Sequence, residues 1–282
     1  MNTYELFIVG WMIVGVAAGS YLFYKDAPYG RFTKTNWGPM ISNRLGWFFM
    51  EITVMVAFAW RLAGAQGGLG RLAGAPANGA AGLSAGGGLG RLVGAPANGA
   101  GWLSPAGFMV GLFFLHYIHR SLVYPWMIRT SGKKMPVVIM LSAVLFNLVN
   151  GSLLGIWFSR YGHYPVAWLG SFQFIAGTLL FFLGMGLNWW SDYTLIRLRG
   201  QGETGYKLPS VGLFRYISSP NLFGEIIEWG GYALLTWSLP ALAFFVWTCA
   251  NLIPRAVANH RWYRRQFPDY PAARKRLIPF VW

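Results

Sequence analysis

The chain has 282 residues and a net charge of +15, with 55% hydrophobic and 18% aromatic side chains. Only 11% are charged, against roughly 25% in a soluble domain, which excludes an ordinary soluble globular fold. A single cysteine, Cys249, excludes a disulfide framework and a cysteine-based metal site.

The apolar residues fall in blocks that approach the ~20 residues needed to cross hydrocarbon. The expectation is an all-α integral membrane protein. Seven blocks read as transmembrane helices, at about 4–23, 45–62, 105–123, 136–157, 165–187, 220–236 and 239–254. The first reads as a spanning helix rather than a signal peptide: no basic residue precedes it, and Lys25 and Asp26 follow it in place of a small-residue cleavage site. Pro136, Pro165, Pro220 and Pro240 sit near block starts, where the first N–H groups have no helical partner. Ser219 reads as the N-cap before Pro220. Placing the N-terminus outside leaves all but four of the 23 Lys and Arg residues on the inner face, the exceptions being Arg61, Arg71, Arg91 and Arg160. That asymmetry predicts seven helices with the N-terminus out and the C-terminus in the cytosol. The basic surplus then reads as topology and attraction to anionic membrane lipid, with no nucleic-acid partner.

Between the second and third blocks, residues 67–106 form a tandem repeat of period 20, "GGLGRLAGAPANGAAGLSAG" then "GGLGRLVGAPANGAGWLSPA". Its Gly/Ala composition cannot bury enough area to fold, so it reads as a flexible insert in the outer loop of a single domain spanning 1–282. "GLGRLAG" is no dinucleotide fingerprint, since no strand precedes it. The inner loop "GQGETGYKLPSVG" (200–212) is long enough to be functional.

Ionisable groups inside spans are expensive and tend to carry function. Apart from Glu5 at the very start of the first block, the acids within the blocks are Glu51, Glu225 and Glu228. Asn221, Glu225 and Glu228 share one helical stripe, which requires a polar cavity or hydrogen-bonding partners; a purely structural tie between helices satisfies the pattern equally. In "LFFLHYIHRSLVYPW", His116, His119 and Arg120 lie on one side of the third helix, with Tyr117 deep in the apolar run. Two histidines without a third strong ligand argue against a metal. In "GMGLNWWSDYTLIRLRG", Asn188 and Asp192 are i, i+4 with Arg199 just beyond, a pattern that suits a ribose-and-phosphate pocket or a helix-end ion pair.

"NLFGEIIEWGGYALLTWSLPALAFF" and "RAVANHRWYRRQFPDYPAARKRLIPFVW", together with "LHYIHRSLVYP" and "WFFMEI", resemble the steroid 5α-reductase (3-oxo-5α-steroid 4-dehydrogenase) family over nearly the whole chain except the repeat. The resemblance implies a seven-helix membrane enzyme; the expectation is a monomer in the bacterial inner membrane or the endoplasmic reticulum. It would reduce the conjugated double bond of a 3-oxo-Δ4 steroid with NADPH, the steroid arriving from the lipid and the cofactor from the cytosol. It implies that Glu51 and Tyr117 bind the substrate ketone. On the cofactor side it implies Asn188, Asp192, Arg199, Tyr206, Asn221, Glu225, Arg255, Asn259 and Tyr263, with Arg120 and Arg129 as added phosphate contacts. Two positions depart from the family pattern: Asn259 stands where the family has histidine, with His260 adjacent, and Met50 stands where glutamine is frequent. The C-terminal pattern alone is shared with membrane methyltransferases that use S-adenosylmethionine. A non-catalytic lipid-binding or transport protein would also suit the spans.

Overall fold

The structure is a computed structural model that describes residues 1–25, 27–28, 30–64, 104–129, 132–200, 203 and 205–282. The repeat at 67–106 therefore falls outside the described residues except for its last three. Ser104 caps the third helix by accepting from the Gly107 N–H at 3.0 Å.

The helices are α1 (Thr3–Tyr24), α2 (Asn43–Gly64), α3 (Pro105–Ile118), α4 (Val137–Ile156), α5 (Phe172–Arg197), α6 (Pro220–Thr236) and α7 (Leu239–Gln266). α3 runs on through a π-helical turn, His119–Val123, to Met127. All but α6 are long and apolar enough to cross a membrane, so the chain is an all-α membrane protein; α6 has 17 residues. Two boundaries differ from the hydropathy reading. Val166–Gly170 form a 3₁₀ turn and Ser171 caps α5, so that helix starts later and ends at Arg197. α7 continues past 254 to Gln266, which places Arg255, Asn259 and Tyr263 on a helix rather than in a tail. Apolar content marks only the part of a helix facing lipid or core, and both extensions are polar. A two-stranded antiparallel ribbon, β1 (Met40–Ser42) on β2 (Lys134–Pro136), also joins the starts of α2 and α4. Ser219 occupies the N-cap position of α6, but its hydroxyl accepts from Asn259 Nδ2 (3.2 Å) instead of capping.

The bundle is closed by small-residue seams. α5 and α6 run antiparallel with Gly177 and Gly184 facing Gly231 and Gly224. A Cβ at Gly224 would lie 2.6 Å from the Asn188 backbone nitrogen, and one at Gly231 2.5 Å from that of Phe181. α1 packs on α7 in the same way, Gly15 against the Trp247 ring and Gly19 against Ala250. Between lipid tails there is no hydrophobic force to join helices, so close van der Waals approach and polar ties must do it. The core centres on Phe113 of α3, whose ring meets Phe58 (5.0 Å), Trp229 (5.6 Å) and Tyr232 (5.7 Å).

Gly224→Ala should therefore destabilise the bundle by about 1–3 kcal/mol, the usual effect of overpacking. Thermal unfolding in detergent checks this, with Gly111→Ala as the control, since nothing lies within 4 Å of a Cβ there.

Candidate active site

The π-helical turn of α3 carries Arg120 into the interior, its side chain about 10% exposed. Three carboxyl groups surround it. Arg120 Nη1 donates to Asp192 Oδ2 of α5 at 2.9 Å, Nη2 lies 3.5 Å from Glu225 Oε2 of α6, and Nε lies 3.9 Å from Glu51 Oε1 of α2. Trp47 and Tyr124 cover the guanidinium at 4.9 and 4.6 Å. The network extends through Asn221, whose Nδ2 donates to Asp192 Oδ1 (2.9 Å) and whose carbonyl accepts from Asn188 Nδ2 (3.0 Å). The α5–α6 seam makes this possible by bringing the two backbones together one turn away.

Two cavities meet at this junction. One, about 460 Å³, is mainly apolar and is bounded by α1, α2, α4, α6 and α7, with Glu51, Tyr117, Arg120 and Glu225 on its wall. Such a volume suits a ligand of drug size. No described residue accepts a hydrogen bond from the Tyr117 hydroxyl. The second cavity is basic. Asp192, Arg199, Tyr206, Asn221, Asn259 and Tyr263 line it, with Arg129, Lys133 and Arg31, while Trp47 and Arg255 line both.

Most of the residues expected on the cofactor side thus converge on the basic cavity. Three do not line it: Asn188 is buried behind it as a tie to α6, and Glu225 and Arg120 face the apolar cavity. The two histidines of α3 part company. His116 bonds Glu228, and His119 lies on the Trp189 ring at 4.3 Å. The two substrate residues expected from the sequence, Glu51 and Tyr117, do share one wall.

Arg31 and Trp47 were not anticipated as site residues. The Arg31 guanidinium is framed by Trp262 and Tyr263, each at 4.6 Å, and by Tyr206 at 5.5 Å. Its Nη2 donates to the Tyr263 hydroxyl (3.3 Å), while its buried Nη1 has no partner among the described residues. Lys133 and Arg199 approach the same Tyr206 ring at 4.4 and 5.4 Å. The one signal in the sequence was Gly30, which adopts φ +65 immediately before Arg31. An arginine held on aromatic faces with a donor unspent suits a phosphate.

The helical membrane bundle thus holds a buried charged junction between an apolar chamber and a basic one, whose chemistries complement an apolar ligand and an anion. Residues 133–282 match the model of the 3-oxo-5-alpha-steroid 4-dehydrogenase family. The chain is 48% identical over 177 residues to 3-oxo-5-alpha-steroid 4-dehydrogenase 2 of Sus scrofa, covering 63% of this chain and 69% of the relative. It is 38% identical over 268 residues to 3-oxo-5-alpha-steroid 4-dehydrogenase 1 of Bos taurus (95% and 93% covered), and 36% identical over 268 residues to the steroid 5-alpha-reductase DET2 of Gossypium hirsutum (93% and 90%). The chain belongs to the 3-oxo-5-alpha-steroid 4-dehydrogenase family and is an oxidoreductase of steroid metabolism.

Removing one member of a buried ion network leaves uncompensated charge, which typically costs about 3–5 kcal/mol. Arg120→Met should lower stability by that order, well beyond Arg129→Met at the exposed rim. Melting temperatures of the two purified variants check it.

Proposed function

We propose that this protein reduces the 4,5 double bond of 3-oxo-Δ4 steroids to 5α-reduced 3-oxosteroids with NADPH. The observation that carries the reading is that Glu51 and Tyr117 stand on one wall of the apolar cavity, beside the junction to the basic one. The names of its relatives, 3-oxo-5-alpha-steroid 4-dehydrogenase and steroid 5-alpha-reductase, support the same substrate class.

The basic cavity fits a phosphate-bearing cofactor by its chemistry. Arg31 Nη1 is a buried donor without a partner, and Glu225 Oε2 at the junction is a buried acceptor without a hydrogen bond. Arg31, Lys133 and Arg199 would hold phosphates; Asp192, Asn221 and Glu225 would hold ribose and carboxamide groups. When bound, NADPH supplies the hydride that adds to the far carbon of the enone. The protein's part is to draw charge onto the ketone oxygen. Tyr117 donates with its free hydroxyl, and Glu51 donates as a neutral acid; of the three carboxyls it lies farthest from Arg120. Both donors stand in an apolar, water-poor site, where such bonds to a developing enolate weigh most. A proton is then delivered to the carbon beside the carbonyl by water or a neighbouring acid.

The steroid enters sideways from the lipid. α1 and α4 are tied at one end by Tyr4 donating to the Leu153 carbonyl (2.7 Å) and Trp11 to Asn150 (3.3 Å). Towards the basic end, Gly15, Ala18 and Gly19 of α1 and Ile139, Ser142 and Ala143 of α4 all line the apolar cavity. We take α6 as the seventh span, since its 17 residues reach about 25 Å. The N-terminus lies outside, and the basic cavity opens to the cytosol of a bacterial inner membrane or endoplasmic reticulum. The enzyme acts as a monomer.

Purified protein with NADPH and a panel of 3-oxo-Δ4 steroids should give products heavier by one H₂. Unchanged nicotinamide absorbance on adding steroid would refute the reading. Glu51→Gln should reduce turnover and Glu51→Leu should abolish it, each by ~10²–10³ or more, while the fold and NADPH binding survive. Normal turnover per folded molecule in Glu51→Leu would remove Glu51 from the ketone site. Arg31→Ala and Arg199→Ala should each weaken NADPH more than NADH; equal weakening of both cofactors would make the arginines structural.

A further inference from the structure

One buried pair has no part in this scheme. His116 Nδ1 and Glu228 Oε1 lie 2.7 Å apart, the residues 2% and 0% exposed, and Glu228 Oε2 has no partner among the described residues. Neither residue lines the apolar cavity, so neither can donate to a substrate there.

Stability alone is a poor reason for such a pair, because apolar residues of similar volume are often as good or better. Its neighbours suggest another role. His116 precedes Tyr117 on α3, and Glu228 precedes Trp229 on α6. The rings interlock: His116 lies 4.7 Å from Trp229 and 5.0 Å from Tyr117, and Tyr117 lies 5.7 Å from Trp229. The Tyr117 hydroxyl itself has no polar partner among the described residues. Just beyond Tyr117 the helix passes into its π-helical turn, where Ser121 Oγ bonds the Tyr117 carbonyl at 2.6 Å. The backbone there departs from regular α geometry, so the direction of Tyr117 depends on what pins α3 from outside.

We propose that the His116–Glu228 pair is a positioning device that ties α3 to α6 and so aims the Tyr117 hydroxyl at the substrate ketone. The inference rests on the reading of Tyr117 as a ketone donor. Misplacing a reacting group by about 1 Å can cost on the order of 10²-fold in rate, so the tie acts on turnover without touching substrate.

The test is a mutant cycle. The pair is replaced together, His116→Phe with Glu228→Leu, so that no buried polar group is orphaned; Glu228→Gln keeps a hydrogen-bonding partner for His116. Turnover is measured per folded molecule, with NADPH and steroid binding measured separately, in wild-type and Tyr117→Phe backgrounds. The expected result is a kcat loss of about tenfold or more for the double replacement, near-normal binding and near-normal turnover in Glu228→Gln. In the Tyr117→Phe background the double replacement should cost nothing further. Full additivity with Tyr117→Phe, or an unchanged kcat for the double replacement, overturns the positioning role and leaves the ketone assignment standing. No loss in Tyr117→Phe itself overturns the ketone assignment, and the inference with it. If the double replacement fails to fold, His116→Asn alone carries the same cycle with the same criterion, and Glu228→Gln stays the conservative control.

Discussion

Arg120 is the constraint on which the site depends. A guanidinium cannot stand alone in a low-dielectric interior, and this one is met by Asp192, Glu225 and Glu51 from three different helices. Trp47 and Tyr124 cover its faces. Satisfying it requires α2, α3, α5 and α6 to meet at one depth and one rotation. The same group forms the partition between the two cavities, so the contact that orders the helices also sets where the apolar chamber stops and the basic one begins.

Glycine makes that convergence geometrically possible. Asp192 and Asn221 can bond at 2.9 Å because Gly184 and Gly224 let α5 and α6 approach to backbone contact a turn away. A side chain at either position would separate Asn188 from the Asn221 carbonyl and strip Arg120 of its shortest partner. The polar network and the seam are thus one device.

The basic chamber is built differently, from loop and tail segments fastened to the helix ends. Arg274 donates to the Pro209 carbonyl (3.0 Å), which fixes the loop that delivers Tyr206. Ser218 Oγ lies 2.6 Å from both His260 Nδ1 and the Tyr270 hydroxyl, and the Lys275 N–H donates to the Tyr216 carbonyl (2.7 Å). These bonds hold the aromatic residues that frame Arg31, so the cation is fixed in place on the chamber wall.

By itself the sequence determined the membrane character, the rough positions of the helices, and the candidacy of Glu51, Tyr117, Glu225 and the basic face. Each follows from local chemistry: apolar runs need hydrocarbon, and a carboxyl within such a run needs a partner. It also pointed to the family, through motifs carried on contiguous stretches. It did not disclose Arg31 or Trp47, since a loop arginine and a tryptophan in an apolar helix look like surface charge and filler until the aromatic frame and the guanidinium are in contact. The resemblance set Glu225 apart from Glu228, but the helical stripe they share did not show which partner each one meets. Only the tertiary structure set Glu225 on Arg120 and Glu228 on His116, because which partner a buried carboxyl meets depends on how neighbouring helices cross, and the crossing is decided by glycines many residues away.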